Sequence, residues 1–150
     1  MPDNLPLARL LSSSTQLAVQ QLNETLADHG FPNLRPAHGY AVLAVGPDGT
    51  TTSKLGTSLG ITKQAAAKLA SQLERDGYLE RVDHPSDGRA QLLLRTGRGE
   101  ALLRAAVEVQ EQMEADWAKA IGEQKMRALR SALQAVLEDA PQNGRLTRLW

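Results

Sequence analysis

Residues 62–100, TKQAAAKLASQLERDGYLERVDHPSDGRAQLLLRTGRGE, hold a helix, a helix stop, a hairpin and a second helix start in one short run. Thr62 is a suitable N-cap, because its hydroxyl accepts from first-turn amides, and Asp76–Gly77 ends the helix. With about 100° per residue and Ala66 at the centre of one face, Leu69, Ala70 and Leu73 fall within about 60° of it. Gln64, Lys68, Ser71 and Arg75 lie opposite, within about 40° of their mean direction, and Ala67 sits beside them. That outer face carries no acid. Its mixture of small and long polar residues lets another backbone approach while side chains reach outward.

These are the properties of a helix that enters a DNA major groove. Free N–H groups and the positive dipole end at its N-terminus favour phosphate. Gln64 can pair with adenine, and Lys63 or Lys68 can reach guanine or phosphate. Taken alone, the helix reads more simply as a solvated polar face. The hairpin behind it shifts the balance. Strands YLERV (78–82) and AQLLLR (90–95), joined by the turn formers of DHPSDGR, project a tip sideways toward a minor groove. Arg89 is the probe at that tip, since a narrow groove concentrates negative potential. Asp87, two residues away, is expected to hold its guanidinium extended.

Outward from this run, apolar periodicity predicts a first helix over about 5–29, with Leu7, Leu10, Leu11, Leu17, Ala18, Leu22 and Leu26 on one face. Gly30 and Pro32 end it. A second helix spans about 36–45, GPDG (46–49) is a turn, and Thr52 caps a short third helix that closes at Gly60. Thr96 caps a long helix to about Ile121, whose stripe is Leu102, Ala106, Val109, Met113 and Trp117. A last helix runs from Glu123 to Asp139 with Met126, Leu129, Leu133 and Val136, and Pro141 bars its continuation. The two end helices carry more Leu and Val than one small lobe covers, which predicts partner helices, with Trp150 packing there too.

At 150 residues with 41% hydrophobic and 23% charged side chains, the composition is that of a globular domain with its own core. No apolar run approaches the roughly 20 residues of a membrane span, and the N-terminus lacks a signal-peptide pattern. A cytoplasmic location is the expectation. With no cysteine, disulfides and thiolate metal sites are excluded. His29, His38 and His84 lie far apart with no carboxylate at ligand spacing, so no metal site is expected. No nucleophile elbow, phosphate loop or acid–base pair points to an enzyme, and no cofactor is implied. The net charge is zero, but residues 51–98 hold eight Lys or Arg against five acids, a local +3. A basic middle between acidic flanks fits a polyanion contact.

Helix, short helix, helix, hairpin and long helix, in this order, resemble a winged helix-turn-helix. The residues resemble the MarR family of bacterial transcriptional regulators. The match runs from Thr51 to Leu103. It includes the L-x-x-x-L-G-I-T entry, the L-E-R-D-G-Y-L-E-R junction, the D-x-R of Asp87 and Arg89, and the T-x-x-G of Thr96 and Gly99. The resemblance implies a mainly α fold with a small β wing. A winged helix-turn-helix lobe over 35–98 would join a helical dimerisation region, 1–34 and 122–150, through the long helix 99–121. It also implies a recognition helix at Thr62–Asp76, the wing arginine at Arg89, and a homodimer joined through its first and last helices. Many relatives release DNA when a small aromatic or phenolic effector enters the cleft between lobes. Four positions depart from the pattern. Gly88 stands where a second wing arginine is frequent, Gly56 replaces an alanine, Arg95 sits at a commonly apolar place, and Gly39 falls where an aromatic is frequent, with Tyr40 next to it.

The reading that follows is a homodimeric regulator, a repressor by expectation, of a pseudo-palindromic operator. Thr62, Lys63, Gln64, Ala67, Lys68, Ser71 and Arg75 would face double-stranded DNA, with Asp87 and Arg89 at the wing. The alternative is a winged-helix adaptor that binds another protein, which the neutral charge and Gly88 keep open.

Overall fold

The computed structural model describes residues 5–139, which form six helices and one two-stranded sheet. In chain order these are α1 (Leu7–Asp28), α2 (Pro36–Val45), α3 (Thr52–Leu59), α4 (Lys63–Arg75), β1 (Leu79–His84), β2 (Asp87–Arg95), α5 (Gly97–Ile121) and α6 (Glu123–Asp139). The mainly α fold with a small β wing is therefore the observed one. Pro141 and Trp150 lie outside the described residues. None of the described helices is long and apolar enough to cross a membrane.

Three helices stop by the same device. Gly30, Gly60 and Gly77 have φ of 89°, 67° and 80°, a left-handed backbone that only glycine adopts freely. In each case the next residue's N–H returns to the helix: Phe31 to Leu26 O, Ile61 to Gly56 O and Tyr78 to Leu73 O, at 2.8–3.0 Å. The glycine-plus-apolar pair thus satisfies the last carbonyls and turns an apolar side chain inward. Phe31 and Tyr78 are both buried as a result.

The core joins Leu22 and Leu26 of α1, Ala41, Val42 and Val45 of α2, Leu55 of α3, Leu69, Ala70 and Leu73 of α4, Leu93 of β2, and Leu102, Ala106, Val109 and Met113 of α5. Leu69, Ala70 and Leu73 of the expected α4 stripe and Leu102, Ala106, Val109 and Met113 of the α5 stripe are in it. Trp117 is only partly buried and packs against its edge. His38 is the one buried polar residue among those described. It sits in the first turn of α2, where its N–H reaches Arg35 O at 2.9 Å and its Nδ1 accepts from Arg35 N–H at 3.3 Å. Burial, and next the Arg35 charge, hold its pKa below the usual histidine value.

Several boundaries differ from expectation. Thr51, not Thr52, caps α3: its hydroxyl accepts from Lys54 N–H at 3.3 Å. Three consecutive threonines make the cap ambiguous by one residue, and the extended backbone of Thr51 decides it. The strands also continue through most of DHPSDGR. β1 and β2 pair antiparallel from Leu79↔Arg95 to His84↔Asp87, with an irregularity between Asp83 and His84. Only Pro85 and Ser86 form the turn. Gly88, Arg89 and Ala90 have no register partner, so they bulge from β2 between the Asp83↔Gln91 and His84↔Asp87 pairs. Thr50 adds a further rung, exchanging backbone hydrogen bonds of 3.0 and 2.8 Å with Leu93. It ties the wing's base to the entry of α3.

The T-x-x-G run has a plain structural role. Thr96 caps α5 by accepting from Gly99 N–H at 3.0 Å and donates its hydroxyl to Gly77 O. A Cβ on Gly99 would lie 2.3 Å from Tyr78 O, so only glycine lets the start of α5 approach the end of α4 this closely.

Candidate nucleic-acid interface

α4 begins where Thr62 Oγ1 accepts from Ala65 N–H at 3.1 Å. Ala66 N–H bonds Thr62 O, which leaves the amides of Lys63 and Gln64 outside the helix ladder. The first turn has no acidic residue, so its positive dipole end is uncompensated. Ala66, Leu69, Ala70 and Leu73 are buried, while Thr62, Lys63, Gln64, Lys68, Ser71 and Arg75 are exposed and Ala67 is half-buried. The wheel drawn from sequence therefore separates inside from outside. Lys63 and Gln64, being adjacent, point about 100° apart and cannot share one line of contact.

The other half is the wing. Asp87 and Arg89 are both exposed, on β2 rather than in a loop. Asp87 Oδ1 accepts from the backbone N–H of Arg89 at 3.0 Å. Among the described residues no ion pair joins it to the Arg89 guanidinium. A carboxylate two residues ahead reaches the nearby amide most easily, which shapes the backbone and leaves the arginine head in solvent. Gly88 has open space around the position of a Cβ.

Helix and wing are joined by a residue that periodicity did not single out. Arg81 of β1 places Nε 2.7 Å from Glu74 Oε2 and donates from Nη2 to Ser71 Oγ at 3.2 Å. It belongs to neither helix period nor turn chemistry. Only its two partners on α4 reveal it. Ser71 consequently has one acceptor direction engaged, leaving its proton to point outward. Arg35 similarly donates to Gln72 Oε1 at 3.3 Å from the start of α2.

The eight basic residues of the middle segment divide into two groups. Lys54, Lys63, Lys68, Arg75 and Arg89 are exposed with no ion pair among the described residues. Arg81, Arg95 and Arg98 are engaged internally. Arg95 Nε lies 2.8 Å from Glu100 Oε1, off the N–H direction, so the contact is ionic rather than a directed hydrogen bond. The departure at Arg95 is thereby accommodated, with its stem packed and its charge answered. At Gly56, a Cβ would lie 3.1 Å from Ile61 O, a tight fit at the turn between α3 and α4.

Away from this surface, an open groove of about 480 Å³ runs between α1, α5 and α6, with Leu22, Tyr40, Met113, Trp117, Leu129 and Leu133 in its walls. Leu129 is exposed, as are Leu17 of α1 and Val136 and Leu137 of α6. No group of side chains among the described residues has the makings of a metal site.

A helix presented beside a two-stranded wing, on a helical scaffold, defines a winged helix-turn-helix protein. Residues 34–90 match the model of the MarR family. Solved structures agree on the fold. A transcriptional regulator from Thermotoga maritima shares 26% identity over 89% of this chain and 94% of its own, with a TM-score of 0.67. The transcriptional repressor CouR, bound to a 23-mer DNA duplex, shares 25% over 87% of this chain and 92% of its own, with a TM-score of 0.66. MarR from E. coli in its reduced form shares 22% over 90% and 98%, with a TM-score of 0.75. A search of curated protein sequences returned no significant match.

Proposed function

We propose that this chain acts as a homodimer that binds a pseudo-palindromic DNA site, represses transcription there, and is released by a small aromatic effector. One observation carries the reading: the acid-free, exposed face of α4 adjoins a wing with a solvent-exposed Arg89, and Arg81 bridges the two through Ser71 and Glu74. In this reading the two copies of α4 occupy successive major grooves, about one helical turn apart. Lys63, Gln64, Lys68 and Ser71 meet bases or nearby phosphates. Arg89 enters the minor groove, and Thr62, Ala67, Arg75 and Asp87 line or shape the contact.

The duplex held by CouR supports the choice of ligand, as does the positive end of α4. The second copy is supported by the apolar residues left exposed on α1 and α6. In this division 1–34 and 122–150 pair with the partner, 35–98 reads DNA, and 99–121 connects them. The groove lined by Tyr40 and Trp117 suits an aromatic guest. An effector acts by favouring a spacing of the two lobes that no longer matches the operator.

The test is to select bound genomic fragments with the purified protein, then titrate the recovered duplex at several salt concentrations. Affinity should fall steeply with salt, and Arg89→Ala should weaken it by about 1–3 kcal/mol. Binding that ignores both salt and Arg89 would instead favour the adaptor reading, in which an apolar protein interface does the work.

A further inference from the structure

Arg98 is the second residue of α5. A cation in a first turn opposes the helix's own dipole, so local energetics disfavour it there. Its partners explain the placement. Nη2 donates to Gly30 O at 2.9 Å, just past the C-terminus of α1, and to Tyr78 Oη at 3.3 Å. Nε donates to Asp76 O at 3.2 Å, at the C-terminus of α4. The guanidinium also lies over both aromatic rings that follow the two helix-ending glycines, 5.2 Å from the Phe31 centroid and 4.8 Å from that of Tyr78. Two negative helix ends and two ring faces thus converge on one cation.

We propose that Arg98 is a positioning residue that sets the angle of the recognition helix against the dimerisation helix, and so the register of the two DNA-reading surfaces. The inference rests on the DNA-binding reading for its functional consequence, though not for its geometry. Among the polar contacts of the described residues, this is the place where the end of α1 and the end of α4 share one side chain. A planar fork with donors in several directions is required, because three acceptors lie around it; a lysine satisfies fewer of them and stacks less well. Arg98 itself is exposed, and its replacement leaves the apolar core intact.

The experiment uses the absence of cysteine from the chain. Ala27→Cys on α1 and Ala65→Cys on α4, both exposed, are spin-labelled and mixed with excess unlabelled protein, so that only the distance within one chain is read. The Arg98 form should give one narrow distribution. Arg98→Gln should broaden it and weaken binding of the selected duplex at least tenfold, while the slope of log affinity against log salt stays unchanged. Arg98→Lys, which keeps the charge, should fall between. An unchanged distribution in Arg98→Gln overturns the proposal. So does a slope reduced by about one unit, which would make Arg98 a phosphate contact. If the parent protein binds no duplex, the DNA reading fails, while the distances still decide whether Arg98 is the joint.

Discussion

The two halves of α1 have nearly the same sequence character and opposite fates. Leu22 and Leu26 are 4% and 0% exposed, locked against the core, whereas Leu7 and Leu17 are 68% and 58% exposed. α6 repeats the contrast: Met126 is buried, but Val136 and Leu137 face solvent. Between these ends, the second half of α1, α2 to β2 and α5 as far as Met113 close one core. An apolar stripe alone therefore does not make a core; a facing element must exist. One part of the molecule finds its facing elements within the chain. The other leaves its apolar side chains exposed, which is the physical basis for proposing a second copy.

The comparison is tested most severely at Leu73, fully buried on α4. Leu73→Ala should cost about 2–5 kcal/mol of stability in urea denaturation. A loss well below that range would mean that the winged lobe is less self-sufficient than its packing implies. The opposite region is probed by Leu129→Glu with Leu137→Glu. This pair should weaken dimerisation roughly a hundredfold, about 2.7 kcal/mol, in sedimentation experiments, with helicity retained. Unchanged association would move the interface elsewhere.

The smallest effect belongs to His38, a buried histidine of the closed lobe. Its folded pKa is lowered, so below the ordinary value near 6.5 the unfolded chain binds the proton more readily. Stability should fall as pH drops through that value and level off once the lowered folded pKa is passed. His38→Gln keeps an acceptor for Arg35 N–H and should flatten this part of the profile. A profile that persists in the variant would assign it to other groups.

Much of α4 was legible beforehand because its signals are local. Thr62 caps within three residues, Gly77 ends the helix, and the buried Ala66, Leu69, Ala70 and Leu73 follow from a period of 3.6. The wing was legible in kind but not in extent. Turn-forming residues in 83–89 mark a reversal, yet they do not say that pairing continues to His84 and Asp87. Asp87 was expected on the arginine head, and it instead binds the amide of Arg89.

What local pattern determined by itself was the order of elements, their caps and the inward face of each. These depend on backbone geometry within a turn or two, where neighbours in sequence are neighbours in space. Tertiary structure alone decided which cations remain free. Arg81 reaches Ser71 across the turn into β1, Arg98 gathers carbonyls from chain positions 30 and 76, and Thr50 pairs with Leu93. Such contacts join residues with no periodic relation, and they exist only once the helix ends have been brought together by burial of the core.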